Sequence, residues 1–160
     1  MDNYLEGLHI PIVHPELNKT INYKSYKTET HDQFSLQWCS IDPQLNPYKN
    51  DSSEDLIAYY VTIFPNVILN IAPGRLQTNI VEPIDEKNCS VHFDYYFEQI
   101  DEKQIQKDLD FSDIIQREDI EICESVQASY EAKGFKNGII SKKYESGILH
   151  FHSRLKEILL

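Results

Sequence analysis

The sequence predicts an α+β fold in which an antiparallel sheet is followed by a long helix. Between residues 56 and 98, apolar and polar side chains alternate in segments joined by short turns, as in an antiparallel meander. After Asp101 the apolar residues follow the 3.6-residue spacing of a helix. The chain has 160 residues, 41% of them hydrophobic and 26% charged, which is typical of one soluble globular domain.

The amino-acid composition argues against several classes of function. The net charge of −11 would repel the phosphate backbone of a nucleic acid, so we expect no nucleic-acid partner. No apolar run approaches the roughly 18 residues of a membrane span, and the N-terminus lacks the basic and apolar regions of a secretory signal. The three cysteines are widely spaced, which argues against a disulfide framework and favours a cytoplasmic location.

The first predicted element is a helix over residues 3–9. Pro11 and Pro15 are then expected to break it, because proline lacks the backbone N–H that continues a helix. On an unbroken helix, His9 and His14 would point about 140° apart. The two rings can face one point only if the helix ends or distorts between them, and Pro11 supplies a reason for that.

The strands are predicted from period-two alternation and from turn residues. One or two strands occupy residues 23–40, and residues 42–54, rich in Asp, Asn, Pro and Ser, form a surface loop. Four clearer strands follow, over residues 56–64, 67–72, 75–83 and 89–98.

Two helices are predicted in the C-terminal third of the chain. Residues 101–108 give a polar start, residues 111–131 form a long amphipathic helix, and Gly134 and Gly138 end it. Residues 146–160 form a final helix with apolar residues at helical spacing.

His9 and His14 are the first candidate site residues. Imidazole is the commonest metal ligand in proteins, because its neutral form offers a lone pair near neutral pH. Two histidines and one carboxylate, with coordination positions left open, form the ligand set of non-haem Fe(II) oxygenases. The sequence offers such a carboxylate at Asp119.

Asp119 is the one acid on an otherwise apolar helix face, which consists of Ile115, Asp119, Ile122, Val126 and Tyr130. An ionised carboxylate on a core-facing stripe costs several kcal/mol unless it is paired or bound to a metal. The same residues also allow a simpler interpretation. Asp119 could pair with a lysine or arginine, or lie near solvent, and the histidines could be exposed or hydrogen-bonded without a metal.

Several segments resemble a known family. Residues 3–15 carry Asn-Tyr-Leu-Glu-Gly-x-His followed by His-Pro, which resembles the iron-binding helix of Rieske-type ring-hydroxylating oxygenase α subunits. The pattern Glu-Asp-x-x-x-x-Glu-x-x-Gln over residues 118–127 resembles the segment that brings that family's third iron ligand. Residues 64–70 and the tail from Gly134 to His152 resemble the choline-monooxygenase-like branch of the family.

The resemblance implies an iron site and a fold. His9, His14 and Asp119 would ligate Fe(II), Glu6 would bridge electron transfer toward the iron, and Asn3 would lie near it. The implied fold is the helix-grip (START/Bet v1-like) type, an antiparallel sheet around a long C-terminal helix, here incomplete. Because Glu6 and His9 share one side of a helix, we expect Glu6 at the surface beside the site and not on the metal.

Family members also carry a Rieske domain, whose Cys-x-His and Cys-x-x-His motifs this sequence lacks. The resemblance therefore implies that residues 1–160 are the C-terminal catalytic domain of a longer α subunit, inactive alone and trimeric in full-length form. The [2Fe-2S] cluster would come from a missing Rieske domain or from a partner. NAD(P)H would supply electrons through a ferredoxin or flavin reductase.

The resemblance leaves the substrate open between a small quaternary ammonium compound and an aromatic compound, hydroxylated with O2. Aromatic side chains can hold a cation over their faces, although aromatic residues in strands usually pack the core. The candidates are Trp38, Tyr59, Tyr60, Phe93, Tyr95 and Tyr96. The alternative function is a metal-free helix-grip module that binds a ligand or a partner.

Overall fold

The structure is a computed structural model that describes residues 1–42, 56–133 and 138–160. Apart from Asp42, the predicted loop over residues 42–54 lies outside the described residues, and so does the predicted helix end at Gly134. The chain begins with a 3-10 helix (Asp2–Leu5). It continues through α1 (Ile10–Val13), α2 (Pro15–Thr20), β1 (Ile21–Thr30), β2 (Phe34–Ile41), β3 (Ile57–Ile63), β4 (Val67–Ala72), β5 (Arg75–Pro83), β6 (Cys89–Phe97), α3 (Glu102–Glu131) and α4 (Ser146–Leu159).

The six strands form one antiparallel sheet in which spatial order follows chain order. The predicted α+β class and antiparallel meander are therefore confirmed. The turn between β4 and β5 is tight, with Ala72 opposite Arg75. Gly74 in that turn has a φ of 77°, a left-handed conformation that glycine adopts without steric cost.

The face of the sheet that turns toward the site is polar although it is buried. Five polar residues on it are at most 5% exposed: Ser35, Gln37, Thr62, Gln77 and Asn79. Gln37 Nε2 donates to the Tyr4 carbonyl at 2.7 Å, and Gln77 Nε2 donates to Asn79 Oδ1 at 2.9 Å. Buried polar groups of this kind need partners, and hydrogen bonds hold four of the five side chains in place. The exception is Thr62, whose buried hydroxyl has no hydrogen-bond partner among the described residues.

Two apolar clusters attach the N-terminal segment to the rest of the fold. In the first, Ile10 of α1 packs with Ile21 and Ala58 of the sheet. In the second, Leu5 of the 3-10 helix packs with Ile148 and Phe151 of α4. The residues that precede and separate the two candidate histidines are therefore anchored on both sides.

The predicted helix over residues 3–9 is wrong. A 3-10 helix ends at Leu5, and α1 begins only after His9. Pro11 lies in the first turn of α1 and Pro15 is the first residue of α2, positions where the missing N–H of proline costs no hydrogen bond. The helical path is therefore interrupted at His14 itself, where α1 ends and α2 begins. The two prolines lie at the starts of helices and do not end one.

The long helix α3 packs on the sheet along its first half only. The Asp101 side chain caps its start by accepting from Lys103 N and Gln104 N at 3.0 and 3.2 Å. Ser112 is 5% exposed and bonds to the Tyr95 hydroxyl at 2.9 Å. No helix among the described residues is long and apolar enough to cross a membrane.

The predicted core-facing stripe of α3 does not continue past Asp119. All residues from 121 to 131 are exposed, including Ile122 at 36%, Val126 at 46% and Tyr130 at 54%. Helical spacing shows which residues share a face, but it does not show how far the neighbouring sheet extends beneath them. The prediction was wrong for this reason.

Candidate metal centre

His9, His14 and Asp119 converge on one point. One donor atom of each residue lies within 4.8 Å of the other two. Asp119 Oδ1 is 3.0 Å from His14 Nε2 and 3.9 Å from His9 Nε2. The two imidazole rings are 5.1 Å apart at an angle of 78°. Residues 105 positions apart in the chain thus come together on one side of α3.

The one-turn helix α1 places the two histidines side by side. His9 precedes α1, and its carbonyl accepts from Val13 N at 2.8 Å. His14 ends α1, and its N–H donates to the Ile10 carbonyl at 3.0 Å. The φ and ψ of His14, −115° and 73°, leave the helical path, so its ring does not continue the helical rotation.

A carboxylate contacts the second ring nitrogen of each histidine. Glu6 Oε1 bonds to His9 Nδ1, and Glu118 Oε2 bonds to His14 Nδ1 at 2.8 Å. A histidine that donates from Nδ1 to a carboxylate has its Nε2 lone pair available for a metal ion. Both Nε2 atoms face Asp119 Oδ1, so the arrangement suits metal binding.

Glu6 is buried, so the expectation of a surface position is wrong. The residue is 9% exposed. Its Oε2 accepts from the backbone N–H of Leu8 and, at 3.3 Å, from that of His9. These backbone groups precede α1 and have no helical partner, which draws the carboxylate inward. Glu6 is beside His9, as expected, and lies outside the three-residue donor group.

The carboxylate of Asp119 is hydrogen-bonded to the side-chain amide of Asn3 and to the imidazole of His14. Its Oδ1 accepts from Asn3 Nδ2 at 2.7 Å, so Asn3 lies beside the candidate ligands. Among the described residues, no lysine or arginine nitrogen lies within 4.0 Å of its carboxylate. The simpler interpretation of a Lys or Arg partner therefore finds no support, while the side chain is 26% exposed.

His14 binds a proton more readily than an ordinary imidazole does. Burial lowers the pKa of His14, but its hydrogen bonds to Asp119 and Glu118 outweigh burial and raise the pKa above its ordinary value. At 1% exposure, its ring has no access to bulk water. A metal ion at Nε2 would replace the proton that lies between Nε2 and Asp119, while Glu118 would keep the proton on Nδ1.

A cavity of about 230 Å³ adjoins the three residues. Tyrosine rings form part of its wall, with Tyr60 stacked against Tyr26 at 6.3 Å and edge-on to Tyr4 at 6.5 Å. Of the aromatic candidates from the sequence, Tyr60 and Phe93 line this cavity.

The other aromatic candidates lie away from this cavity. Trp38 and Tyr59 are register partners, Tyr59 and Tyr96 are 38% and 56% exposed, and Tyr95 bonds to Ser112. Sequence reasoning missed Tyr4 and Tyr26. Two features of the sequence could have indicated them as site residues. Tyr4 lies close to Glu6 in the N-terminal pattern, and Tyr26 lies in the alternating segment that forms β1.

Similarity to known proteins covers the whole chain. Residues 1–160 match the family described as ring hydroxylating alpha subunit (catalytic domain). The chain is 32% identical over 160 residues to the chloroplastic choline monooxygenase of Arabidopsis thaliana, covering 96% of this chain and 37% of that protein. It is 28% identical over 169 residues to the carnitine monooxygenase oxygenase subunit of Escherichia coli K12, covering 99% and 45%.

A solved structure of a quaternary ammonium Rieske monooxygenase shares the fold. It matches with a TM-score of 0.82 and 24% identity, over 98% of this chain and 45% of that one. The chain spans less than half the length of these relatives. The family match extends over every residue, and it confirms the resemblance seen in the three sequence segments. This chain therefore belongs to the ring-hydroxylating oxygenase α subunits, within their catalytic domain.

Proposed function

We propose that His9, His14 and Asp119 hold an Fe(II) ion and that the chain is the oxygen-activating domain of a Rieske-type monooxygenase. The convergence of these three donor groups carries the proposal. Two imidazoles and one carboxylate are the facial ligand set of non-haem iron oxygenases. When bound, the iron supplies open coordination positions at which O2 reacts.

The surrounding residues support this function by orienting the ligands. Glu6 and Glu118 hold the Nδ1 atoms of His9 and His14, and Asn3 donates to Asp119. Partners of this kind fix ring orientation and tautomer, and they raise the basicity of the ligand. By the family resemblance, Glu6 would bridge electron transfer toward the iron, and its contact with His9 Nδ1 supports that part of the proposal.

The proposed substrate is a quaternary ammonium compound. Tyr4, Tyr26 and Tyr60 line the cavity beside the donor group, and a cation binds favourably over such ring faces. Burial raises the pKa of each of these three hydroxyls, so the rings remain neutral. Two relatives are named for choline and carnitine, which are both quaternary ammonium compounds.

The proposed electron source is a Rieske [2Fe-2S] centre, reduced from NAD(P)H by a ferredoxin or flavin reductase. The sequence contains no motif for such a cluster, so the cluster belongs to another segment or another subunit. A trimer in which one subunit supplies electrons to the next is part of this proposal. The chain alone is therefore expected to bind iron without sustained turnover.

The test is anaerobic Fe(II) loading followed by removal of free metal and iron analysis. We expect about one iron per chain in the unchanged protein and almost none in Asp119→Ala. Asp113→Ala is the matched control, because Asp113 is an exposed acid on the same helix that pairs with Arg117. This control should retain the iron. Iron near zero in the unchanged chain would favour the metal-free ligand-binding alternative and contradict the proposal.

Melting of the metal-free proteins separates a loss of ligand from a loss of fold. Asp119→Ala removes the acceptor of Asn3 and His14 but strands no lysine or arginine. Glu118 remains on His14 Nδ1, and the imidazole can release its proton, so no buried charge is left without a partner. The expected cost is therefore about 1–2 kcal/mol, below the roughly 3–5 kcal/mol of a buried charge left without its partner. A stability loss in the higher range would mean that Asp119 mainly stabilises the fold and is not primarily a metal ligand.

A further inference from the structure

Two neighbouring cavities share part of their wall. The first is the cavity beside the metal residues, and the second has a volume of about 360 Å³. Tyr60, Asn70 and Arg75 line both of them. Arg75 is the first residue of β5 and lies opposite Ala72 across the hairpin, so it stands at the end of this shared wall.

Arg75 is the charged residue of this shared wall, and within the described parts of the chain it has no ion-pair partner. Among the described residues, no carboxylate lies within 4.0 Å of its guanidinium, and no side-chain hydrogen bond is formed by it. In the first cavity the charged side chains other than Arg75 are engaged with one another: Glu6 with His9, and Asp119 with His14. Met1, which carries an amino group, and Cys123, which carries a thiol, also line this cavity. Among the described side chains that line this cavity, the guanidinium is therefore the cation available to a ligand.

The neighbouring polar groups satisfy one another without Arg75. The Tyr4 hydroxyl donates to Asn70 Oδ1 at 2.7 Å. Gln77 and Asn79, next along β5, are bonded to each other. Each of these acceptor oxygens already accepts one hydrogen bond, and none of these neutral groups can offset the charge of the guanidinium.

The charge of Arg75 acts on the ring to which the quaternary ammonium group is assigned. Burial raises the pKa of Tyr60, and the positive charge of Arg75 opposes that rise. A ligand that carries only a positive charge would meet a like charge close to Tyr60. A carboxylate on the same ligand would instead give the guanidinium the planar, two-oxygen partner that arginine favours.

We infer that Arg75 is an anion subsite, and that the ligand is a zwitterion with a quaternary ammonium group and a carboxylate. The inference rests on the proposed function and narrows its substrate class. An anion subsite would distinguish two quaternary ammonium compounds that both fit the proposed function. Carnitine carries a carboxylate, whereas choline carries only a hydroxyl group. Arg75 acts here as a specificity-determining residue.

The experiment is calorimetric titration of the purified chain with carnitine and with choline. We expect carnitine to bind more tightly, because a hydrogen-bonded charge pair typically changes affinity by about 10- to 100-fold. Arg75→Gln should remove this preference by weakening carnitine and leaving choline unchanged or slightly tighter. Arg75→Lys should retain part of the preference, since it keeps the charge without the two-pronged geometry.

Arg117→Gln is the matched control, because it removes one exposed positive charge that pairs with Asp113 away from the cavities. It should leave both affinities unchanged. Equal affinity for the two compounds, or a carnitine preference that survives Arg75→Gln, would overturn the role of Arg75 and leave the quaternary ammonium proposal standing. Binding of neither compound would overturn both, and unchanged circular dichroism of the variants excludes misfolding as the cause.

Discussion

Among single residues, His14 is held more completely than the other candidate ligands. Its ring is 1% exposed, and adjacent residues of α3 contact its two nitrogens: Glu118 at Nδ1 and Asp119 at Nε2. Two consecutive residues of one helix thus hydrogen-bond to the two nitrogens of the same imidazole ring. Glu118 was noticed in the sequence only as part of the family pattern, because a helical wheel separates it by about 100° from the face that carries Asp119.

Replacement of Glu118 should weaken metal binding while the three ligands remain. Glu118→Ala removes the acceptor that fixes the His14 tautomer, and we expect the affinity for Fe(II) or Co(II) to fall about 10- to 100-fold. Glu118→Gln keeps an acceptor oxygen and should lose less. Anaerobic competition with a chromophoric chelator measures the change. Glu121→Ala, an exposed acid on the same helix, is the control. Equal affinities in Glu118→Ala and this control would rule out the positioning role.

The three cysteines should differ in reactivity with pH. Burial raises the pKa of the Cys39 thiol to about 11, although its hydrogen bond with Tyr60 lowers it somewhat. Cys39 is fully buried, whereas Cys89 and Cys123 are exposed. Because the thiolate is the reactive form, Cys89 should react first with a disulfide reagent at about pH 8, and Cys123 should follow more slowly, since partial burial raises the pKa of its thiol. The buried thiol of Cys39 should react only after unfolding, or when the pH approaches the pKa of this thiol. Three fast thiols in the folded protein would contradict the buried position of Cys39.

At the scale of elements, α4 supports the segment that carries the histidines. Gly147, near its start, approaches the chain so closely that a Cβ atom would lie 2.5 Å from the Leu5 carbonyl oxygen. Leu5 is 1% exposed and directly precedes Glu6. The packing of α4 on the 3-10 helix therefore sets the position of the chain just before the candidate metal residues.

Gly147→Ala should destabilise the protein and disturb the site together. Backbone must move to admit the methyl group, and such overpacking costs about 1–3 kcal/mol. We expect a lower urea midpoint and a weaker affinity for metal. Ser153→Ala, an exposed change on the same helix, should stay within about 0.5 kcal/mol. A Gly147→Ala protein with the midpoint of the unchanged chain would show that the close contact with Leu5 does not hold α4 in place.

The strands could be predicted closely, and the N-terminal elements could not. In β3 to β6, period-two alternation and short turns determine both the strand limits and the pairing. In residues 1–20, helices of four to six residues carry too little periodicity to locate, and Pro11 and Pro15 fit a helix start as well as a helix end. The inward position of Glu6 depends on backbone N–H groups whose lack of partners appears only in the folded chain.

At the scale of the whole molecule, the candidate centre brings the N-terminal segment together with α3, which are far apart in the sequence. The histidines lie in the first fourteen residues and Asp119 lies on the helix that follows the sheet. The sequence identified these residue types, but only the antiparallel sheet brings α3 against α1. Because the centre is absent from an unfolded chain, a metal ion bound there would stabilise the folded state.

The most direct test of the iron site is anomalous X-ray diffraction at the iron edge, from crystals grown anaerobically with Fe(II). We expect one strong peak within bonding distance of His9 Nε2, His14 Nε2 and an Asp119 carboxylate oxygen. Glu6 and Glu118 should remain on the Nδ1 atoms and away from the metal. A peak elsewhere, or no peak between these three residues in crystals soaked with excess Fe(II), would contradict the assignment of His9, His14 and Asp119 as iron ligands.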